Sequence, residues 1–204
     1  MLLALAVAGA GAGAATIEPS RAQVLEDEAA TTPPPDTDPR WHEVRLPDAR
    51  TAPLAWYRVD FEVPRDASAW NLYLPYLYGG GRLWLNGEPI AAVLESSAEQ
   101  RVRWNRPHLL QLPPAVLREG RNVLHLRVAT AHQPSGTMLP QLVIGAQVEL
   151  QPQYERRFFF VRTVPMVTVI VCFFAAPLVL AEFGVGDADA VEAARLVGDH
   201  PREH

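Results

Sequence analysis

The run Arg101-Val102-Arg103-Trp104-Asn105-Arg106-Pro107-His108 brings an indole, an amide, guanidinium groups and an imidazole into eight residues. A Trp ring beside Asn and Arg can stack on a sugar face. A guanidinium can also hold a carboxylate through two parallel hydrogen bonds. Arg103, Trp104, Asn105, Arg106 and His108 are therefore the candidate ligand-binding residues. A plainer use of the same residues stays open: Trp104 packs on a domain edge while the arginines keep the surface soluble.

The remaining reactive residue types form no catalytic constellation. Glycoside hydrolysis needs two carboxylates facing each other across a sugar, whereas Glu43, Asp60 and Glu62 occupy positions expected to face solvent. Ser20, Ser68, Ser96, Ser97 and Ser135 lack a Gly-x-Ser-x-Gly setting. His42, His108, His125 and His132 lack metal-ligand spacing. Gly79-Gly80-Gly81 lacks the Lys-Ser/Thr of a phosphate loop and reads as a tight connection. A single Cys excludes an intramolecular disulfide and a cysteine-based zinc cluster. No catalytic residue, metal or cofactor is assigned, and the chain is expected not to be an enzyme.

Charge narrows the partners. All 18 basic residues are arginine, against 23 acids in 204 residues. Residues 1–39 hold one Arg and six acids, and no later segment is strongly basic, so nucleic acid is a poor candidate.

The elements that must position these residues alternate with period two from Trp41 to Leu150. In Tyr57–Val63, Tyr57, Val59, Phe61 and Val63 share one face, and Arg58, Asp60 and Glu62 the other. In Asn122–Val128, Leu124, Leu126 and Val128 point inward, while His125 and Arg127 point outward. Further strands are expected at 70–77, 82–85, 89–94, 108–112 and 142–150. Asn86-Gly87 is a hairpin signal because both residues accept positive φ. Turn signals recur every eight to twelve residues, which predicts an all-β sandwich or jelly roll over residues 40–153. Trp70 and Trp84 are expected in its packing.

Both flanks differ. Residues 1–15 read as a signal-peptide-like segment, an apolar start followed by Ala-x-Ala triplets. Residues 16–39, acidic and containing Pro33-Pro34-Pro35, read as a flexible linker. Residues 154–163 form a juxtamembrane segment. Val164–Ala181 is eighteen residues without a charge. As a helix it spans roughly 27 Å at about 1.5 Å per residue, close to the hydrocarbon thickness of a bilayer. Residues 182–204 form a short polar tail. Arg156, Arg157 and Arg162 precede the span and Arg195 follows it, which by charge bias alone puts residue 155 in the cytoplasm. The signal-like start implies the opposite orientation and is given precedence, because long domains translocate largely regardless of charge.

Five pieces in order carry a resemblance: Trp41–Asp48, Trp56–Pro64, Leu83-Trp84-Leu85-Asn86-Gly87-Glu88-Pro89-Ile90, Leu117–Leu124 with its L-x-x-G-x-N-x-L pattern, and Val143-Ile144-Gly145 followed by Tyr154–Arg157. Together, over about residues 41–181, they resemble the galactose-binding-like jelly-roll sensor domains at the N-terminus of bacterial membrane sensor histidine kinases and related multi-helix receptors. The hairpin and the Gly-x-Asn turn also occur in the sugar-binding-like domains of β-galactosidase-type enzymes. The resemblance implies a galactose-binding-like jelly roll followed by one transmembrane helix, in the bacterial inner membrane with the β-domain in the periplasm or extracellular space. It implies a sensing role toward a small molecule, a carbohydrate or a periplasmic protein. The chain lacks the further membrane helices, the phosphoacceptor His and the nucleotide loop of such receptors. It thus corresponds to a receptor truncated after the first membrane helix, and signalling would need a separate kinase subunit. The alternative is a carbohydrate-binding accessory module of a cell-envelope glycoside hydrolase.

Overall fold

The computed structural model describes residues 16–65, 69–93, 106–129 and 137–179. In chain order the strands are β1 (Arg21–Leu25), β2 (His42–Arg45), β3 (Asp48–Arg50), β4 (Leu54–Val63), β5 (Trp70–Leu74), β6 (Gly81–Leu85), β7 (Glu88–Val93), β8 (His108–Gln111), β9 (Gly120–Ala129), β10 (Thr137–Leu139) and β11 (Val143–Ala146). They form a six-stranded sheet ordered β2-β1-β4-β9-β6-β7, a three-stranded sheet ordered β11-β5-β8, and the pair β10-β3. Every pairing is antiparallel.

The period-two pattern explains the main layer. Tyr57, Val59, Phe61 and Val63 of β4 lie beside Leu124, Leu126 and Val128 of β9 in one buried cluster. The β4–β9 ladder runs from Leu54↔Ala129 to Val63↔Gly120 without a register shift. Trp70, Leu72 and Leu74 of β5 supply the opposing face of the same cluster. Fully burying each such side chain contributes about 1.5–3 kcal/mol. Asn86 and Gly87 adopt φ of 52° and 91° between β6 and β7, as the hairpin signal requires. Gly81 is a glycine for another reason: a Cβ there would land against the Arg127 carbonyl oxygen of the neighbouring strand β9.

Three expectations change. First, residues 16–39 contain β1, an interior strand of the six-stranded sheet, where a flexible linker was expected. Ala22 and Val24 enter the core and Leu25 is fully buried. Acidity and prolines in the rest of the segment hid this short alternation.

Second, the stretch 142–150 is not one strand. β11 ends at Ala146, and a helix α1 (Gln147–Phe158) begins. Helix formers replace β-branched residues at this point, and Leu150 and Tyr154, four residues apart, pack toward Tyr73, Val143 and Leu109 on the outer face of the three-stranded sheet. Arg157 donates Nε–H to the Pro75 carbonyl at 2.7 Å, and its guanidinium lies 5.5 Å from the Tyr76 ring centroid.

Third, the juxtamembrane residues ahead of Val164 are helical as well. The helical stretch runs Gln147–Val179. Phe159–Thr163 is a π-helical turn immediately ahead of Pro165. Pro165 cannot donate to the carbonyl four residues back, and a widened turn absorbs that loss. The chain divides into two compact units, Met1–Phe158 and Phe159–His204. In the second, Phe160, Met166, Val169, Phe173, Phe174 and Leu178 are exposed. The signal-like segment 1–15 and the tail 182–204 lie outside the described residues.

Candidate functional site

Arg58 of β4 and His125 of β9 were expected on a solvated face, yet both are buried and the segment from Asp27 to Trp41 packs over that side of the sheet, while Asp60 and Glu62 stay exposed as expected. This strap is tied to itself. Asp27 Oδ1 accepts from the Ala29 and Ala30 amides at 3.1 Å. Trp41 Nε1–H donates to the Pro35 carbonyl at 2.9 Å. Arg40 bridges Asp38 at 2.7 Å and Asp27 at 3.0 Å. These bonds to Arg40 hold both carboxyls below the ordinary aspartate range. Apolar contact supplies the adhesion: Leu54, Trp56 and Trp84 form a second cluster capped by Ala30 and Trp41. The Trp56 and Trp84 rings lie tilted at 5.0 Å between centroids.

Beneath the strap lie charged and polar groups that the alternation had assigned to solvent. Arg58 is 7% exposed and His125 5%. Arg58 donates from Nη1 to Gln23 Oε1 at 2.9 Å and from Nη2 to Asp60 Oδ1 at 3.2 Å. Its Nε makes no hydrogen bond and lies 3.6 Å from Asp36 Oδ1. His125 Nε2 lies 3.2 Å from the same Asp36 oxygen. Nδ1 has no hydrogen-bond partner, and Asp36 is the only group close to Nε2 among the described residues. Trp41 stands 6.0 Å from the His125 ring.

Of these groups, Asp36 and His125 border a cleft of about 320 Å³, lined by Pro33–Asp36 on one side and by Asn86, Gly87, Arg118, Val123 and His125 on the other. Its floor is rigid. Asn122, fully buried, donates from Nδ2 to the Arg118 and Gly120 carbonyls at 2.7 and 2.9 Å. Its Oδ1 accepts from the Arg118 amide and from Asn86 Nδ2 at 2.9 and 2.8 Å. Asn86 also donates to the Val116 carbonyl and accepts from the Val123 amide. The Asn-Gly hairpin and the Gly-x-Asn turn, two separate motifs in the sequence, are thus one hydrogen-bonded structure.

Of the sequence-derived site, only Arg106 and His108 are among the described residues. Arg103, Trp104 and Asn105 fall outside the described residues. Arg106 is partly buried, and His108 opens β8, opposite Leu74 at the edge of the three-stranded sheet. Neither joins the cleft on the six-stranded sheet. The cleft residues were missed because a polar residue at an outward strand position looks solvated until something covers it. A usable signal was the outward-facing Trp56, which a solvated face would not carry. Among the described residues, no cluster of three His, Cys, Asp or Glu is placed to hold a metal ion.

Burial lowers the affinity of His125 for a proton, and Arg58 adds to this, while Asp36 opposes it. His108 is lowered likewise by burial and by Arg106. Below the ordinary imidazole pKa near 6.5, the unfolded chain therefore binds protons that the folded chain refuses. Stability is full above that value and falls as the pH drops below it. The sandwich is expected to melt at lower temperature at pH 5.5 than at pH 7.5, with each kcal/mol lost lowering Tm by roughly 2–4 °C. His125→Gln should flatten this slope. An unchanged slope in that variant would locate the titration elsewhere.

No family model matches the sequence, and no curated protein does. Similar solved structures include a β-glycosidase from Bacteroides vulgatus, with TM-score 0.51 and 14% identity, covering 64% of this chain and 20% of that one. A glycosyl hydrolase family 2 member from Bacteroides cellulosilyticus has TM-score 0.51 and 13% identity, with the same coverage. A β-glucuronidase from Bacteroides uniformis has TM-score 0.50 and 15% identity, covering 65% of this chain and 18% of that one. The chain spans about a fifth of the length of these proteins. What it shares with them is the fold, a β-sandwich of antiparallel sheets.

Proposed function

We propose that this chain is a non-catalytic carbohydrate-recognition module of the galactose-binding-like jelly-roll class, anchored in a bacterial inner membrane by its C-terminal helix with the sandwich outside. The observation that carries this reading is the sandwich fold shared with glycoside hydrolases. A polar cleft on a rigid sheet, beside a strap that orders its rim, supports it. The helix supports the anchor: within Gln147–Val179 the apolar window has mean hydropathy 2.1 and none of it is buried.

A periplasmic sensor domain, signalling through a separate kinase subunit, is the second reading. It is favoured by that same apolar helix, which an accessory module of a soluble hydrolase does not need. The test is a glycan array probed with the full chain in detergent. Saturable binding to one sugar class is the expected result. An empty array, together with co-purification of a histidine kinase from native membranes, would replace the proposal with the sensor reading.

A further inference from the structure

We propose that the sandwich itself rests on the lipid bilayer, through a patch made by the β5–β6 loop and the end of α1 that takes anionic phospholipid headgroups. This inference rests on the membrane-anchor part of the reading above and names the surface that the sandwich turns to the lipid. The loop, residues 75–80, carries Tyr76 and Tyr78, whose rings stack with centroids 4.5 Å apart and 14° between planes. Leu77 between them belongs to the core cluster, while both tyrosines are only partly buried. Arg157 joins this loop to α1, with its Nε–H on the Pro75 carbonyl and its guanidinium 5.5 Å from the Tyr76 ring centroid. On the same helix Tyr154 and Phe158 stack at 5.7 Å, and Arg156 is exposed.

Position along the chain argues for lipid as the partner. Arg157 precedes Val164, the first residue of the uncharged stretch, by seven residues. That is roughly 10 Å of helix at about 1.5 Å per residue. The headgroup layer is roughly 5–8 Å thick on each side of the hydrocarbon. Chain length alone therefore keeps the Arg157–Tyr76 contact within reach of the headgroups. Residue type agrees. Tyrosine, with an apolar ring and a polar tip, concentrates at membrane–water interfaces, and arginine lays its apolar stem on lipid while its charge stays in the headgroups. Charge selects the lipid: residues 155–163 hold three arginines against one acid, Glu155. A basic segment beside a span attracts anionic headgroups.

The experiment places the full chain in nanodiscs of phosphatidylcholine, alone or mixed equally with phosphatidylglycerol, with a trace of lipid bearing gadolinium on its headgroup. Broadening of the tyrosine ring signals is read by NMR, each signal assigned by its Tyr→Phe variant. Tyr57, fully buried in the core, is the internal reference. The expected result is at least threefold more broadening of Tyr76 and Tyr78 than of Tyr57 in the anionic discs. That excess should shrink in phosphatidylcholine alone and in Arg156→Gln. Equal broadening in both lipids would overturn the anionic-headgroup assignment. Tyr76 and Tyr78 no broader than Tyr57, in a chain that co-elutes with the discs, would overturn the patch and leave the anchor standing. A chain that elutes apart from the discs would remove both. The lipid dependence of the wild-type chain decides the matter even if the variant folds poorly.

Discussion

Excision of residues 16–39 is expected to abolish the native sandwich, not merely to shorten a tether. β1 pairs with β2 through Arg21↔Arg45 to Val24↔His42, and with β4 through Gln23↔Arg58 to Leu25↔Trp56. Without it, β2 loses its neighbour in the six-stranded sheet and β4 becomes an apolar edge. Val24 and Leu25, at most 1% exposed, would leave the interior. Ile17 exchanges two backbone hydrogen bonds with Ile144 of β11, at 2.7 and 2.9 Å, so the segment also ties down the other sheet. Removing the strap bares Leu54, Trp56 and Trp84. Two buried aliphatic side chains alone are worth about 3–6 kcal/mol, a large share of the 5–15 kcal/mol that typically separates folded from unfolded. Urea unfolding followed by tryptophan fluorescence checks this. A deletion variant with the same cooperative midpoint as the intact chain would show that residues 16–39 are dispensable.

The second large effect belongs to one side chain. Asn122→Ala should cost about 3–4 kcal/mol, because it removes four hydrogen bonds of a fully buried side chain at once, each worth about 0.5–1.5 kcal/mol. The Arg118 amide and carbonyl, the Gly120 carbonyl and Asn86 Nδ2 all lose a partner. Asn86 then holds the β6–β7 turn less firmly, and the cleft floor loosens with it. Chemical denaturation should show a lowered midpoint with an unchanged slope. A loss under 1 kcal/mol would mean that water or a shifted backbone satisfies the same groups.

The inward face of the sandwich was legible from alternation alone. Tyr57, Val59, Phe61, Leu124, Leu126 and Val128 are buried where period two puts them, and Asn86-Gly87 turns the chain as its φ preferences demand. The outward face was not legible. Arg58 and His125 are polar, and alternation assigns a polar residue to solvent whether or not a distant segment covers it. Nor did the spacing of Leu117–Leu124 reveal that Asn122 would bond to Asn86, thirty-six residues earlier.

Local chemistry determined which residues alternate, where the chain turns, and that one stretch near the C-terminus is apolar enough to cross a bilayer, because each of these depends on neighbours a few residues apart. The tertiary structure decided that an acidic, proline-rich stretch becomes an interior strand and a cover, and that the cleft forms beneath it. Those outcomes depend on burial between segments about ninety residues apart in the chain, such as Asp36 and His125, and burial is a property of the assembled surface and not of any short run of sequence.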